Sequence, residues 1–402
     1  MKFLFGHLRS SFLGVNTYLR GKNALLYSTK IATTTQRNFS ISELYRRISP
    51  VGDPNVSIVP ILNQWVEEGR PAEKEELQSF IKELRYYKRY SHALQISMWM
   101  TDKRYIKLGR SDIAIRLDLI GKVHGLEQAE NYFNYVPKHL RVLEVYGALL
   151  NCYAKAKAVE KAEALMQKMR DLGFNPTTLS YNVLLSLYYQ TGNNQKFVEL
   201  VKEIKENGIQ FDKFTYSISL SACAVASDNQ GIDKLLKEIE SDPNIVLDWT
   251  VYSNVASAYT KVGVLDKAMT ALKKAEELVT HKRRSAAYNF ILTQYAAAGK
   301  KDEVLRLWEI YKNKEKVFSR GYMCILTSLL KLDDIENAKL IFDEWQSQGL
   351  QYDIRIPNLL IGAYCRKGLM EKAENLVKTV IPSGGKPDAF TWYIGIRVSS
   401  EW

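Results

Sequence analysis

Acidic and amide side chains recur at regular distances along this 402-residue chain. Each aspartate of the set stands just before a run with helical periodicity, where it can cap the helix by accepting bonds from free backbone N–H groups. Each asparagine stands near the start of such a run, where it can bond to the backbone or to a ligand. We interpret the aspartates as caps that can also contact a ligand, and we favour ligand contact for the recurring asparagines. The residues are Asp212, Asp248, Asp353 and Asp388, with Asn182, Asn289 and Asn358.

No arrangement typical of an enzyme accompanies these residues. The sequence has no phosphate-binding Gly-rich loop, no His-x-Glu with a paired-cysteine motif, and no Ser/His/Asp grouping. The four cysteines are too widely spaced for a zinc site and match no secreted disulfide framework. The five histidines form no i, i+4 pair that could hold a metal. We therefore predict a protein that is not an enzyme and needs no metal or cofactor.

The elements that carry the polar residues repeat with a period of about 35. Tyrosines recur at 146, 181, 216, 252, 288 and 322. They begin runs with apolar residues at i, i+3, i+4 and i+7, as in Tyr181, Leu184, Leu185 and Tyr188. A second run of the same kind follows after a short turn. This spacing predicts two amphipathic α-helices per repeat, and no segment alternates at period two as a strand would. Fixed periods in this range are typical of solenoids, in which each helix pair buries its apolar faces against the next.

We predict an all-α fold, a right-handed α-solenoid of stacked antiparallel helix pairs. Residues 40–73 form a lead-in, and the repeats occupy 74–388 with a weak first pair. The segment 389–402 looks like an incomplete repeat, from which we expect a truncated or alternatively spliced product. The predicted pairs are 74–109, 110–142, 143–177, 178–212, 213–248, 249–284, 285–318, 319–353 and 354–388.

The repeats resemble those of the pentatricopeptide family. The likeness is clearest from Thr178-Leu-Ser-Tyr-Asn to Asp212, and in 354–388 with its ending Gly384-Gly-Lys-Pro-Asp388. The tetratricopeptide family is a nearby alternative, but its repeats open with Trp-x-x-Leu-Gly rather than with Tyr-Asn-x-Leu-Leu. Val51-Gly-Asp-Pro54 and Leu94-Gln-Ile-Ser-Met-Trp-Met100 are similar to signatures of the short plant mitochondrial branch, whose repeats are pure and unmodified.

This resemblance implies that each repeat contacts one base of single-stranded RNA through its fifth residue, supported by its last residue. Asn182 with Asp212 matches the combination that favours uracil, and so does Asn358 with Asp388. Ser217 with Asp248 leans towards guanine.

Other repeats depart from this pattern. Ser253 would be combined with Arg284, and Asn289 with Phe318. Met323, paired with Asp353, offers no useful hydrogen bond to a base edge. With about three matching repeats of eight, we expect weak sequence discrimination. The candidate RNA-binding residues are Asn182, Asp212, Ser217, Asp248, Ser253, Asn289, Asn358 and Asp388.

The first 39 residues carry six basic and no acidic side chains, together with Ser, Thr and scattered Leu and Phe. This composition predicts a transit peptide for the mitochondrial matrix, with the chloroplast as a less favoured destination. Half of the net charge of +12 lies in this segment, so the rest of the chain is only mildly basic. A basic chain favours polyanionic partners, but here the charge is a weak argument for RNA.

Two functions remain open from the sequence. The first is an adaptor that holds single-stranded RNA in the solenoid groove to support transcript processing, stability or translation. The second is a structural solenoid of the mitochondrial ribosome that contacts ribosomal RNA and proteins, or another organellar RNA-processing protein. The asparagine–aspartate combinations favour the first function, whereas the degenerate fifth positions and the modest charge favour the second.

Overall fold

The computed structural model describes residues 43–104, 106–280 and 284–380. Within these ranges the chain forms twenty α-helices and one short 3-10 helix, and it contains no strand. The predicted all-α class is therefore confirmed. The predicted transit peptide and the incomplete repeat 389–402 lie outside the described residues, as does Asp388.

The chain divides into two compact units, Met1–Gln210 and Phe211–Trp402. The first unit contains ten of the described helices. They are α1 (Glu43–Ile48), α2 (Val59–Glu67), α3 (Lys74–Tyr86), α4 (Tyr90–Asp102), α5 (Arg110–Val123), α6 (Leu126–Tyr135), α7 (Leu143–Lys155), α8 (Val159–Asp171), α9 (Thr178–Thr191) and α10 (Asn194–Glu206).

The second unit contains the other ten described helices and continues the pairwise pattern. They are α11 (Lys213–Val225), α12 (Asn229–Ser241), α13 (Trp249–Lys261), α14 (Leu265–Glu277), α15 (Arg284–Ala297), α16 (Lys301–Lys314), α17 (Ser319–Lys331), α18 (Ile335–Ser347), α19 (Arg355–Arg366) and α20 (Met370–Val380). Each odd-numbered helix from α3 to α19 is the first helix of a pair, and the even-numbered helix after it is the second.

The apolar stripes of the sequence form the contacts between helices. In the repeat 178–212, Tyr181, Leu185 and Tyr188 of α9 are buried, and so are Phe197 and other apolar residues of α10. The two helices of each pair pack against each other. First helices also pack against the next first helix, as α5 does on α7 and α13 does on α15. Stacking of this kind buries both faces of a pair that could not bury them alone.

Buried tyrosines connect neighbouring helices through their hydroxyl groups. Tyr181 Oη donates to the Glu203 carboxylate of the same repeat at 2.8 Å. Tyr188 Oη donates to the Glu163 carboxylate of the preceding repeat at 2.7 Å. The tyrosines at 146, 181, 216, 252, 288 and 322, which begin the apolar runs, are all buried and belong to the core.

The predicted lead-in 40–73 contains two helices that sequence periodicity did not assign. The connection between α1 and α2 is held by polar side chains at the start of α4. Arg89 donates from Nη1 to the Ser49 carbonyl at 3.0 Å, and Ser91 Oγ donates to the Pro54 carbonyl at 3.2 Å. The buried His92 places Nε2 3.0 Å from the Val56 carbonyl. These bonds fix α1, α2 and their connection on the first predicted helix pair.

Candidate nucleic-acid interface

The fifth residue of each predicted repeat lies in the second turn of a first helix, and its exposure differs from repeat to repeat. Ser217, Asn289 and Asn358 are half-buried. Asn182 is 6% exposed, and Ser253 is completely buried. The buried Ser253 hydroxyl has no hydrogen-bond partner among the described residues. Contact between Ser253 and a ligand would therefore require local opening.

The aspartates at the ends of repeats cap the following helices. Asp212 Oδ1 accepts from the backbone N–H groups of Phe214 at 2.9 Å and Thr215 at 2.8 Å. Asp353 Oδ1 accepts from the Arg355 N–H at 3.1 Å and also binds its guanidinium. Asp212 is the Ncap residue of α11, whereas Asp353 directly precedes the Ncap residue of α19. Unpaired N–H groups at a helix start favour such negative charge. The predicted capping role is therefore seen for Asp212, whereas Asp353 bonds to the first residue of α19 from the position before the Ncap residue.

Asp248 combines a cap with an ion pair. Its Oδ1 accepts from Thr250 N–H at 3.0 Å, while its Oδ2 lies 2.8 Å from Lys213 Nζ. Burial alone would raise the pKa of Asp248, but the bonds from Lys213 and Thr250 outweigh it and hold the pKa below its ordinary value. The carboxylate is therefore kept charged at the start of α13.

Ser217 lies close to this charged pair. It is four residues after Lys213 on α11, and residues at that spacing share a helix face. Ser217 and Lys213 line a crevice of about 20 Å³ together with Thr250 and Asn254 of α13. The fifth residue of this repeat, Ser217, therefore lies near the ion pair of its last residue, Asp248, and near the first turns of α13.

The backbone of Asn289 is bonded by a residue of the following repeat. The Cys324 thiol donates to the Asn289 carbonyl at 3.0 Å. The side-chain oxygen Oδ1 of Asn289 is buried and has no hydrogen-bond partner among the described residues. An unsatisfied amide oxygen can accept a bond from a ligand donor.

The same helix faces continue into positions that the sequence analysis missed. The fifth residue is followed on several first helices by a small residue four positions later and by a cation eight positions later. Lys261, Lys331 and Arg366 are exposed, and they make no ion pair within the described ranges. Partial desolvation lowers the pKa of Lys261. The sequence feature that could have indicated these cations is their constant distance of eight residues from the fifth residue of the repeat. The sets are Ser253, Ser257 and Lys261; Met323, Thr327 and Lys331; and Asn358, Gly362 and Arg366.

In the first unit the cations at the corresponding positions, Lys122 and Lys155, share a carboxylate with Arg85. Asp118 contacts Lys122, Lys155 at 2.9 Å and Arg85 at 3.3 Å. Burial would raise the pKa of Asp118, but the ammonium groups of Lys155 and Lys122 hold it below its usual range. Burial lowers the pKa of Lys122 to about 8. One carboxylate thus partly neutralises three cations here, whereas Lys261, Lys331 and Arg366 of the second unit make no ion pair within the described ranges.

Two other kinds of site are absent from the described ranges. No cluster of three or more His, Cys, Asp or Glu side chains there could hold a metal ion. None of the helices described is both long and apolar enough to cross a membrane.

These observations define a helical-repeat protein with polar and basic residues at repeating positions of its first helices. A family model described as the PPR repeat family matches residues 144–188 and 176–225, and a PPR repeat model matches 356–380. A mitochondrial pentatricopeptide repeat-containing protein of Arabidopsis thaliana is 42% identical over 93% of this chain and 76% of its own length. The chain therefore belongs to the pentatricopeptide repeat family, as predicted, and the match indicates no catalytic family.

Other similar proteins differ in what their names state. The Arabidopsis thaliana large ribosomal subunit protein mL101 (rPPR4) is 46% identical over 91% of this chain and 74% of its own length. Among solved structures, PPR10 from maize has a TM-score of 0.50 at 20% identity, over 86% of this chain and 49% of its own. PPR10 in complex with an 18-nt psaJ RNA element has a TM-score of 0.51 at 16% identity, over 86% and 59%. At these identities the solved structures support the fold alone.

Proposed function

We propose that this protein is a non-enzymatic adaptor that binds single-stranded RNA along the exposed face of its first helices. The fifth residues contact base edges, the aspartates at repeat ends support them, and the cations eight residues further along bind phosphates. The buried Ser253 makes its contact only on local opening of its helix. The proposed contacts from the sequence are Asn182, Asp212, Ser217, Asp248, Ser253, Asn289, Asn358 and Asp388. To these the second unit adds Lys261, Lys331 and Arg366.

The observation that carries this proposal is the shared face of Asn358 and Arg366 on α19. Residues eight apart lie on the same side of a helix, two turns from each other. An amide near one end can donate to and accept from a base edge, and an exposed guanidinium near the other can bind a phosphate. A cation in the last turn of a helix is also favoured by the helix dipole. Arg366 can therefore bind a phosphate without a cost to the stability of α19.

The mitochondrion is the proposed location. Several Arabidopsis thaliana relatives carry the word mitochondrial in their names, one of them 35% identical over 93% of this chain. The composition of the first 39 residues is in agreement. Within that organelle we propose a role in transcript processing, stability or translation.

Selection from a random RNA pool with the purified full chain tests RNA binding. We expect enrichment of a short motif that contains uracil, and loss of that motif in the Asn182→Ala, Asn358→Ala double variant. Replacing Lys261, Lys331 and Arg366 with Gln should lower the slope of log affinity against log salt by about 2, because each phosphate contact on a single strand contributes about 0.7.

The control for the cation variant changes three exposed lysines on second helices of the same unit. Lys234, Lys237 and Lys372 make no ion pair within the described ranges, so their replacement with Gln removes the same charge from other faces. Equal slopes for the two triple variants would contradict the proposed path of the RNA, and no enrichment of any RNA would contradict RNA binding itself.

A second candidate function is a structural role in the mitochondrial ribosome. The observation that favours it is the 46% identity with a protein named as a large ribosomal subunit component. Sedimentation of the tagged chain with the large subunit, in salt that removes free RNA-binding proteins and with no motif enriched in the selection, would support this role. A motif enriched without sedimentation would support the adaptor.

A further inference from the structure

The last residue of the repeat 285–318 differs in chemistry from those of its neighbours. Phe318 stands where Asp248 and Asp353 stand in other repeats of the second unit. Those aspartates bond to the helix that follows, whereas Phe318 provides no side-chain cap for α17. The ring is 61% exposed to solvent. A polar side chain is preferred at the start of a helix, and a large apolar side chain is preferred in the core. Phe318 follows neither preference, and such departures are typical of functional positions.

The loop that carries Phe318 lies at the start of α15. Arg284 Nη1 donates to the Lys314 carbonyl at 3.3 Å, and Ser285 Oγ donates to the Glu315 carboxylate. Asn289 is one helical turn beyond Ser285 on the same face. The loop with the exposed ring is therefore bonded to the first turn of α15. The next turn of that helix carries Asn289, the proposed base-edge contact of the same repeat.

Exposed cations stand on both sides of Phe318 in the sequence, and one of them lies near the ring. Lys314, Lys316 and Arg320 are exposed, and none of them takes part in an ion pair in the described part of the chain. Lys316 Nζ lies 5.8 Å from the Phe318 ring centroid. The acidic residue of the loop, Glu315, has its carboxylate engaged by Ser285. An exposed aromatic ring among exposed cations is the combination with which proteins hold single-stranded nucleic acid.

We propose that Phe318 is a stacking platform for one base of the bound RNA. The ring contacts the face of the base, while Lys316 and Arg320 contact the adjacent phosphates. Because every base has a π-face, stacking on Phe318 adds no base preference of its own, in contrast to the contacts of asparagine and aspartate with base edges. The inference rests on the proposed RNA-binding function and assigns to one repeat a different mode of contact.

Binding of the full chain to two fluorescent oligomers of equal length tests the proposal. One is oligouridine, and the other is the same ribose-phosphate backbone without bases. We expect Phe318→Ala to weaken binding of oligouridine about tenfold, as for the loss of one stacked base. It should leave binding of the abasic oligomer unchanged, and Phe318→Tyr should retain both affinities. In addition, 5-iodouridine in the oligomer should photocrosslink to the peptide that contains Phe318.

The matched control is Leu340→Ala. Leu340 is 65% exposed on the second helix α18 of the same unit, so its truncation removes exposed apolar surface away from the proposed site. We expect wild-type affinity for both oligomers.

Three results would overturn the inference. They are wild-type binding of oligouridine by Phe318→Ala, an equal loss on both oligomers, and loss of a co-purifying protein with unchanged RNA affinity. The last would assign Phe318 to a protein contact. If the wild-type chain binds neither oligomer, the proposed function itself fails and this inference with it. Failure of the proposed function is therefore recognised from the wild-type chain alone, whereas the three results against the inference require a wild-type chain that binds RNA.

Discussion

Asp248 serves both the helix that follows it and the polar surface beside it. Its carboxylate accepts backbone bonds at the start of α13 and holds Lys213 at 2.8 Å. The sequence predicted the cap, because an aspartate directly before an apolar-periodic run has few other local bonding arrangements. It did not predict the ion pair with Lys213, which depends on how the end of one repeat folds back to the start of its first helix.

We expect Asp248→Ala to lower the free energy of unfolding by about 1–2 kcal/mol through loss of the cap. The folded pKa of Asp248 is lowered, so its stabilising contribution is present above the pKa of an unfolded Asp. That contribution is lost as the pH falls through the lower folded value. Chemical denaturation at pH 7 and at progressively lower pH measures both effects, and the wild-type and variant stabilities should converge in acid.

Glu277→Ala is the control for this prediction. Glu277 is an exposed carboxylate at the last residue of α14 and caps no helix. Its removal should leave stability within about 0.5 kcal/mol of the wild type. A gap between Asp248→Ala and wild type that stays constant down to strongly acidic pH would show that the charged carboxylate is not the stabilising group.

Burial of the fifth residues shows the limit of sequence reasoning for single residues. Ser217 and Ser253 are the same residue type at the same position of consecutive repeats. Ser217 is half-buried, whereas Ser253 is completely buried. The repeat pattern specifies which helix face a residue occupies, but exposure also depends on the side chains and the approach of the neighbouring first helix. The roles of these residues in RNA binding stay predictions.

Among the helices, the contact between α5 and α7 depends on a residue without a side chain. A Cβ atom at Gly121 would lie 2.5 Å from the Cys152 sulfur and 3.6 Å from the Ala129 Cβ. Cys152 is itself buried, and burial raises the pKa of its thiol to about 12, so it acts as a packed apolar group. Glycine lets the two first helices approach at this point.

We expect Gly121→Ala to destabilise the first unit by about 1–3 kcal/mol through overpacking, although alanine is favoured in a helix by about 1 kcal/mol. Cys152→Ala alone should also destabilise, because it leaves a cavity. Together the two changes should be less harmful than their sum, since the new methyl group fills the space of the sulfur. Denaturation of the four proteins of this cycle measures the coupling, and strict additivity would argue against contact at Gly121.

The apolar periodicity of the sequence predicted most helices correctly, and the two helices that it missed, α1 and α2, have a physical explanation. The long first and second helices each present two or more turns of one apolar stripe, as Tyr181, Leu185 and Tyr188 do. The helices α1 and α2 have 6 and 9 residues, which is too short to separate a helical period from other patterns. Their place is set by side chains of α4, such as Arg89, and this contact between distant segments is not visible in a local pattern.

Across the whole molecule, we expect the free energy of unfolding to be the sum of contributions from single repeats and from contacts between adjacent repeats. Helices of a stacked repeat array contact their own pair and the adjacent pairs, so a change in one repeat acts mainly on its neighbours. We expect Gly121→Ala to increase amide hydrogen exchange in α5 to α8 and to leave exchange in α17 to α20 at the wild-type rate. Exchange measured by mass spectrometry reads both regions in one experiment, and a uniform increase would indicate a single cooperative core.

The bonds that hold the connection before α2 also affect how copies of this chain can associate. Helix pairs of a solenoid can in principle add to those of another molecule, because each exposes a face suited to the next pair. Here α1, α2 and their connection are fastened to α3 and α4 through Arg89, Ser91 and His92. With α1 and α2 held there, we expect α3 and α4 not to serve as a surface for end-to-end association of copies of the chain.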